Sequence, residues 1–161
     1  METPVGPLTL EASADGGEAR LVGLWFGVRV GRGDATAGEA AVLDEVEAQL
    51  AAYFTGERRG FDLPVRLVGT TFRQRVWAEL ARIPYGETIS YGELARRVGD
   101  PKASRAVGAA NGANPVSIIV PCHRVVNSKG ELHGYGGGLE RKRWLLDHER
   151  ARVGLFASAG G

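Results

Sequence analysis

The sequence predicts a mixed α+β fold, with a small α/β region first and a helical region after it. Two observations carry this prediction. Near the N-terminus, two short stretches of alternating apolar and polar residues flank a glycine turn, and a four-residue apolar repeat follows. After residue 70 the chain shows repeated helix-start signals and a short glycine turn between two of the helices. With 161 residues it holds one ordinary domain or two small ones, enough to bury a core. The 43% hydrophobic and 24% charged content describes a soluble, globular chain. No apolar run approaches the roughly 20 residues of a membrane span, and the acidic, Pro- and Gly-broken start does not resemble a signal peptide. The expected location is cytoplasmic, with no membrane partner.

The first strands are read at Pro7–Ala12 and Leu21–Phe26, joined through Gly16-Gly17 as a hairpin. Val28 to Gly38 reads as a loop. A helix is expected from about Glu39 to Phe54, because Val42, Val46, Leu50 and Phe54 repeat every four residues, and Gly56 ends it. Phe61–Val65 is extended and closes a first domain at residue 66, so the domains are expected at 1–66 and 67–161. In the second, Thr71 and Gln74 fit a capping box, and Phe72, Val76 and Leu80 mark one helical face that Pro84-Tyr85-Gly86 closes. Ser90 precedes a helix with Tyr91, Leu94, Ala95 and Val98 on one side. After the turn Val98-Gly99-Asp100, Asp100 is expected to cap a second helix with Pro101 at its first position. Helix, short turn, helix is a helix-turn-helix outline.

Charge is divided unevenly. Residues 1–66 carry six basic and eleven acidic side chains, a balance of −5; residues 67–161 carry fourteen and eight, a balance of +6. A basic half facing a polyanion accounts for this, and so does chance patterning on two solvated surfaces. Arginine outnumbers lysine 17 to 3, which suits phosphate binding or reflects a GC-rich genome.

The window Ser117–Val126 is the most informative. Its apolar run reads as a buried strand that Pro121 stops, delivering the only cysteine, Cys122, with His123 and Arg124 beside it. A single cysteine excludes internal disulfides and multi-cysteine zinc sites. An inert buried thiol is the plainer reading of a lone cysteine. The adjoining His and Arg instead make an electropositive setting, expected to lower the thiol pKa from its usual ~8.5. Side chains adjacent in sequence do not usually face each other, so a Cys122–His123 link needs a turn or a water.

Pro121-Cys122-His123-Arg124-Val125 strongly resembles the active-site motif of the O6-alkylguanine-DNA alkyltransferases, and the resemblance extends over nearly the whole chain. Ile83–Thr88 with Ser90-Tyr91-Gly92 resembles the family's tyrosine-bearing segment. Arg105-Ala106-Val107-Gly108 through Asn114-Pro115 resembles its recognition helix and the turn after it. Gly134–Lys142 resembles its substrate-binding loop, and Thr3–Leu8 with Gly23–Phe26 its N-terminal domain.

The resemblance implies a ribonuclease-H-like N-terminal domain and a C-terminal domain with a winged helix-turn-helix. It implies irreversible, single-turnover transfer of the O6-alkyl group of guanine, and also of O4-alkylthymine, to Cys122. A thiolate is a strong nucleophile toward carbon, and the thioether formed has no easy hydrolysis route. By resemblance, His123 takes the thiol proton through a water while Glu149 orients it. Read alone, Asp147-His148-Glu149-Arg150 is an ordinary polar helix end. Tyr91 is expected to donate a proton to the leaving base, and Asn114 to hold the turn before the active-site strand. The carbonyls of Cys122 and Val125, with Tyr135 and the Gly136 amide, are expected to frame the base.

The partner implied is double-stranded DNA bearing O6-alkylguanine, bound through its minor groove by a monomer. Arg105, Ala106, Gly108, Tyr91 and Arg124 are the expected DNA contacts. The base must leave the stack, and Arg105 resembles the finger that fills the vacated space. Minor-groove readout is nearly sequence-blind, which suits inspection of every guanine. Gly136 departs from relatives that carry a hydroxyl there, leaving only its amide for O6. No cysteine precedes Cys122, so neither the structural zinc of some relatives nor a transcription-activating domain is expected, and no cofactor or metal. The competing readings are a lesion-binding protein without transfer activity, a helix-turn-helix regulator and a Cys–His peptidase.

Overall fold

The computed structural model describes residues 1–15, 17–31, 33–132 and 134–160, with side chains as far as Val153 in the last helix. It forms two compact units, Met1–Val68 and Gly69–Gly161. Gly16, half of the expected hairpin turn, lies outside the described residues.

In the first unit, β1 (Leu8–Ser13) and β2 (Arg20–Phe26) pair antiparallel, with Leu8 opposite Phe26 and Leu10 opposite Leu24. A bulge between Glu11 and Ala12 shifts the register. Helix α1 (Ala37–Thr55) starts two residues before the expected position, because Thr36 caps it reciprocally with Glu39. The same Glu39 carboxylate accepts from Ala14 N at 3.0 Å, tying the helix start to the end of β1. Gly56 ends the helix with φ 86°, the left-handed conformation glycine adopts without penalty.

The buried stripe of α1 is Val46, Leu50, Tyr53 and Phe54, with Val42 only half-buried. Leu21, Leu24 and Leu50 are fully buried, worth about 1.5–3 kcal/mol each. Gln49 shares the buried face; its amide exchanges two 2.9 Å bonds with the Asp62 backbone and so anchors the returning segment. That segment forms a single parallel bridge, Leu21 to Val65, rather than a strand. Pro64, which has no N–H to give, limits it.

In the second unit, α2 (Thr71–Leu80) is capped by Thr70, not Thr71: Thr70 is extended and accepts from Arg73 N at 3.2 Å. The expected Thr71–Gln74 box is therefore absent. Val76, Trp77 and Leu80 are buried, and Trp77 Nε1 donates to Ala110 O at 2.8 Å, which satisfies the indole. The helix stops at Leu80, and Pro84-Tyr85-Gly86 forms a separate turn beyond it.

Strand β3 (Ile89–Ser90) pairs in parallel with β4 (Val125–Val126). Ser90 ends β3 and caps α3 (Tyr91–Arg97), accepting from Glu93 N at 3.0 Å. Helix α4 (Ser104–Gly112) begins later than expected and without a side-chain cap. Asp100 uses its carboxylate on Lys102 N at 3.2 Å and its carbonyl on Ala103 N, so Asp100-Pro101 makes a turn instead of a helix start. The long helix α5 (Leu139–Gly160) completes the unit. Among the described residues, no helix is long and apolar enough to cross a membrane.

Candidate active site

The residues before Cys122 do not form the expected strand. Asn114 closes them into a compact loop: its Oδ1 accepts from Val116 N at 3.0 Å and its Nδ2 donates to Val120 O at 2.8 Å. Ser117 and Val120 form one isolated bridge across it. Val116, Ile118 and Val120 are buried, as the apolar run suggested, but Ile118 sits at φ 73°. A β-branched residue there is strained by about 1–3 kcal/mol and persists only where its surroundings enforce it.

The loop delivers Cys122–Arg124 into one turn of 3-10 helix that leads straight into β4. The Cys122 carbonyl accepts from Val125 N and, at 3.4 Å, from Asn111 Nδ2. It is thus already engaged by the protein, whereas the sequence reading assigned it to the base.

Cys122 is 5% exposed. Burial pushes its thiol above the ordinary value and outweighs Asn114, Ser117, the Lys142 charge and Tyr135, which all favour the thiolate. The expected lowering by His123 and Arg124 is corrected here. Arg124 is committed to Glu149, and His123 is itself held toward its neutral form.

That commitment is the central feature of the site. His123 Nε2 lies 2.7 Å from Glu149 Oε2, both side chains fully buried. Arg124 Nε donates to Glu149 Oε1 at 2.8 Å and Nη2 to Oε2 at 3.1 Å, while Nη1 reaches Ile83 O at 2.6 Å. Gly86 N also donates to Oε1, at 3.2 Å. Burial pushes the Glu149 carboxyl up, but the bonds from His123 and Arg124 hold it well below the usual carboxylate range. His123 is lowered, with burial prevailing over Glu149, and Arg124 and Lys142 adding to the effect. Its Nδ1 has no protein hydrogen-bond partner among the described residues.

Arg124, expected on the DNA, is turned inward here. It is 7% exposed, over the Tyr85 ring at 5.7 Å, with its guanidinium filled by Glu149 and Ile83. Glu149 is no helix end either, since α5 continues past it.

Tyr91 opens α3, half-buried, hydrogen-bonded to the Asn111 side chain. Burial and the Cys122 thiolate raise its phenol above the ordinary value, so it keeps its proton at neutral pH. Val125 is fully buried in β4. Tyr135 is half-buried and reaches the thiol, and Gly136 is exposed. Arg105 and Ala106 are exposed on the first turn of α4; Gly108, half-buried, faces the Tyr91 ring.

Sequence reasoning missed Lys142. It is fully buried, its Nζ 6.0 Å from the Tyr91 and Tyr135 ring centroids and 3.5 Å from Gly134 O. Burial pushes its ammonium down to about 8, with a Cys122 thiolate pulling the other way. A cation so placed stabilises that thiolate. The signal was in the spacing: Lys142, Leu145, Leu146 and Glu149 fall at i, i+3, i+4 and i+7, all on the buried face of α5. Asn111, Ser117 and Gly86 were also missed.

Fold and site together define a protein with one buried thiol followed by a buried imidazole–carboxylate–guanidinium network. Residues 71–151 match the family model described as 6-O-methylguanine DNA methyltransferase, DNA binding domain. The methylated-DNA–protein-cysteine methyltransferase of Mycobacterium bovis is 50% identical over 153 residues, covering 95% of this chain and 92% of that protein. The protein of the same name from Methanosarcina acetivorans is 44% identical over 149 residues, covering 92% and 94%. The crystal structure of Mycobacterium tuberculosis OGT in complex with DNA matches with a TM-score of 0.83 at 48% identity, over 94% of this chain and 91% of that one. The chain belongs to the O6-methylguanine-DNA methyltransferase family.

Proposed function

We propose that this chain repairs DNA by direct reversal, moving the O6-alkyl group of guanine, and that of O4-alkylthymine, onto Cys122 in a single irreversible turnover. The observation that carries the reading is the placement of the sole cysteine, buried on a rigid turn one residue before the His123–Glu149 pair. The thiol proton passes to His123 by way of a water, and Glu149 stabilises the imidazolium. The thiolate, favoured by Lys142, attacks the alkyl carbon. A carbon–sulfur bond forms as the carbon–oxygen bond breaks, and the electron pair leaves with the guanine. Tyr91 protonates the departing base.

Asn114 keeps the loop that aims Cys122, and Val125, Tyr135 and Gly136 enclose the base. The substrate is double-stranded DNA, entered from the minor groove by α4, with Arg105 filling the place of the flipped nucleotide and Ala106 and Gly108 permitting close approach. In this reading α3 and α4 form a winged helix-turn-helix within a domain spanning 67–161, and residues 1–66 form a ribonuclease-H-like domain. The protein acts as a cytoplasmic monomer.

Intact mass after incubation with duplex DNA containing O6-methylguanine tests the assignment. One added methyl in the native protein, and none in Cys122→Ala, is expected. A methyl on the Cys122→Ala protein, or none on either, overturns it.

A further inference from the structure

His123 carries a demand that its neighbours oppose. To accept the thiol proton it must be uncharged before reaction, yet a buried carboxylate lies 2.7 Å from its Nε2. An opposite charge that close raises a histidine pKa by about one to three units, which would leave an imidazolium with no capacity to act as base.

Burial opposes the imidazolium most, and Arg124 adds a directed contribution to it. Its fork engages both oxygens of Glu149, at 2.8 and 3.1 Å, and its third nitrogen is fixed on Ile83 O at 2.6 Å. The fork leaves Oε2 able to accept from His123 Nε2, so the neutral tautomer carries its proton on Nε2 and keeps the Nδ1 lone pair available. We propose that Arg124 is a positioning residue of the transfer reaction: by pairing with Glu149 it keeps His123 neutral and correctly tautomerised at rest, ready to deprotonate Cys122.

The inference rests on the reading of His123 as the base for Cys122. Among the described residues, the charged groups that bear on His123 are Glu149 and Lys142 from α5 and Arg124 on its own turn. Of these, only Glu149 favours the imidazolium through hydrogen bond and charge, while Arg124 and Lys142 disfavour it along with burial. Arg124 engages both Glu149 oxygens, through Nε and Nη2. Lys142 shares the direction of its effect and lies near the Tyr91 and Tyr135 rings and Gly134 O.

Histidine-selective NMR titration of His123 tests the proposal, alongside the pH profile of single-turnover transfer from free O6-benzylguanine, which removes DNA binding from the rate. Arg124→Gln should raise the His123 midpoint by at least about one pH unit, and the acid limb of the rate should follow it, an about tenfold loss on that limb. Arg124→Lys, which loses the fork but keeps the positive charge beside Glu149, should hold the His123 midpoint within about half a unit of the native one. A purely structural role predicts damage in both variants with no ordered movement of the midpoint.

A folded Arg124→Gln with an unmoved midpoint overturns the proposal, as does an Arg124→Lys midpoint displaced as far as that of Arg124→Gln. A midpoint that moves while the rate profile stays put overturns the assignment of His123 as base, and the proposal with it. Should Arg124→Gln not fold, the double variant Arg124→Gln/Glu149→Gln removes the unpaired charge. Its His123 midpoint should lie at or below the native one, and a raised midpoint there overturns the proposal.

Discussion

The outer face of α4 and the turn Cys122–Arg124 lie in the same unit, and each carries an arginine that the sequence assigned to DNA. On α4, Arg105 projects from a helix whose first turn is exposed and has no side-chain cap. On the turn, Arg124 is folded inward, and all three of its nitrogens are bonded to Glu149 or Ile83. The difference separates two physical tasks. In the proposed function the α4 face slips against a long polyanion, which needs small residues and free charge, and little stability is invested in it. A nucleophile and its proton acceptor need fixed geometry in a dry place, and there the chain commits buried charges that are costly to leave unpaired.

Mutation should expose this contrast directly. Glu149→Leu leaves the Arg124 guanidinium buried without its carboxylate, so we expect a loss of about 3–5 kcal/mol in urea unfolding, together with loss of alkyl transfer. A loss below about 1 kcal/mol would mean that Arg124 finds solvent easily and the network is not rigid.

Gly86→Ala should come next. Gly86 sits at φ 81°, and an added Cβ would overlap Val153 Cγ2. Its N–H is also one of the Glu149 donors. About 1–3 kcal/mol of destabilisation is expected in the same unfolding experiment, with slower transfer because the carboxylate loses a support. Unchanged stability would show that the turn Pro84–Gly86 adjusts freely.

Acid should act on the turn before it acts on the rest. His123 is lowered in the folded protein, so the unfolded chain binds its proton first, and stability falls as pH drops through about 6.5. Glu149 is lowered as well, so its contribution is present above about 4.5 and is lost below that. Unfolding free energy measured from pH 8 to 4 should therefore decline in two steps. Cys122 runs the other way: its raised thiol gives stability that is lost as pH climbs above about 9. His123→Gln should remove the step near 6.5. A step that survives this substitution would place the titrating group elsewhere.

The smallest effect on stability belongs to Arg105→Ala, within about 0.5 kcal/mol. Transfer from duplex DNA should nevertheless fall sharply, while reaction with free O6-benzylguanine stays close to native. Equal losses on both substrates would put Arg105 in the support of the pocket and erase the contrast with Arg124.

How much of this was legible follows the same division. The hairpin, α1 and the helix after Ser90 were readable because alternation and a repeating stripe are local signals. The apolar run Ser117–Val120 misled because its burial pattern fits both a strand and a closed loop. What decides is the Asn114 amide, bonded to Val116 and Val120, and a left-handed Ile118 that no pattern announces. Asp100-Pro101 carried a helix-start signature, but Asp100 bonds Lys102 N just as well, and the turn prevailed. The burial of Arg124 and Lys142 was not legible because charge in a sequence is assumed to be solvated. Only the register of Lys142 with Leu145, Leu146 and Glu149 betrays an ionised face turned inward.

The account turns on Cys122 as an acceptor that is never regenerated. The most direct measurement is the count of methyl groups transferred per protein molecule as duplex DNA containing O6-methylguanine is raised to large excess. A plateau at one methyl per chain, carried on Cys122, is the result expected. Continued transfer beyond one per chain, with no added reductant or partner, would contradict it.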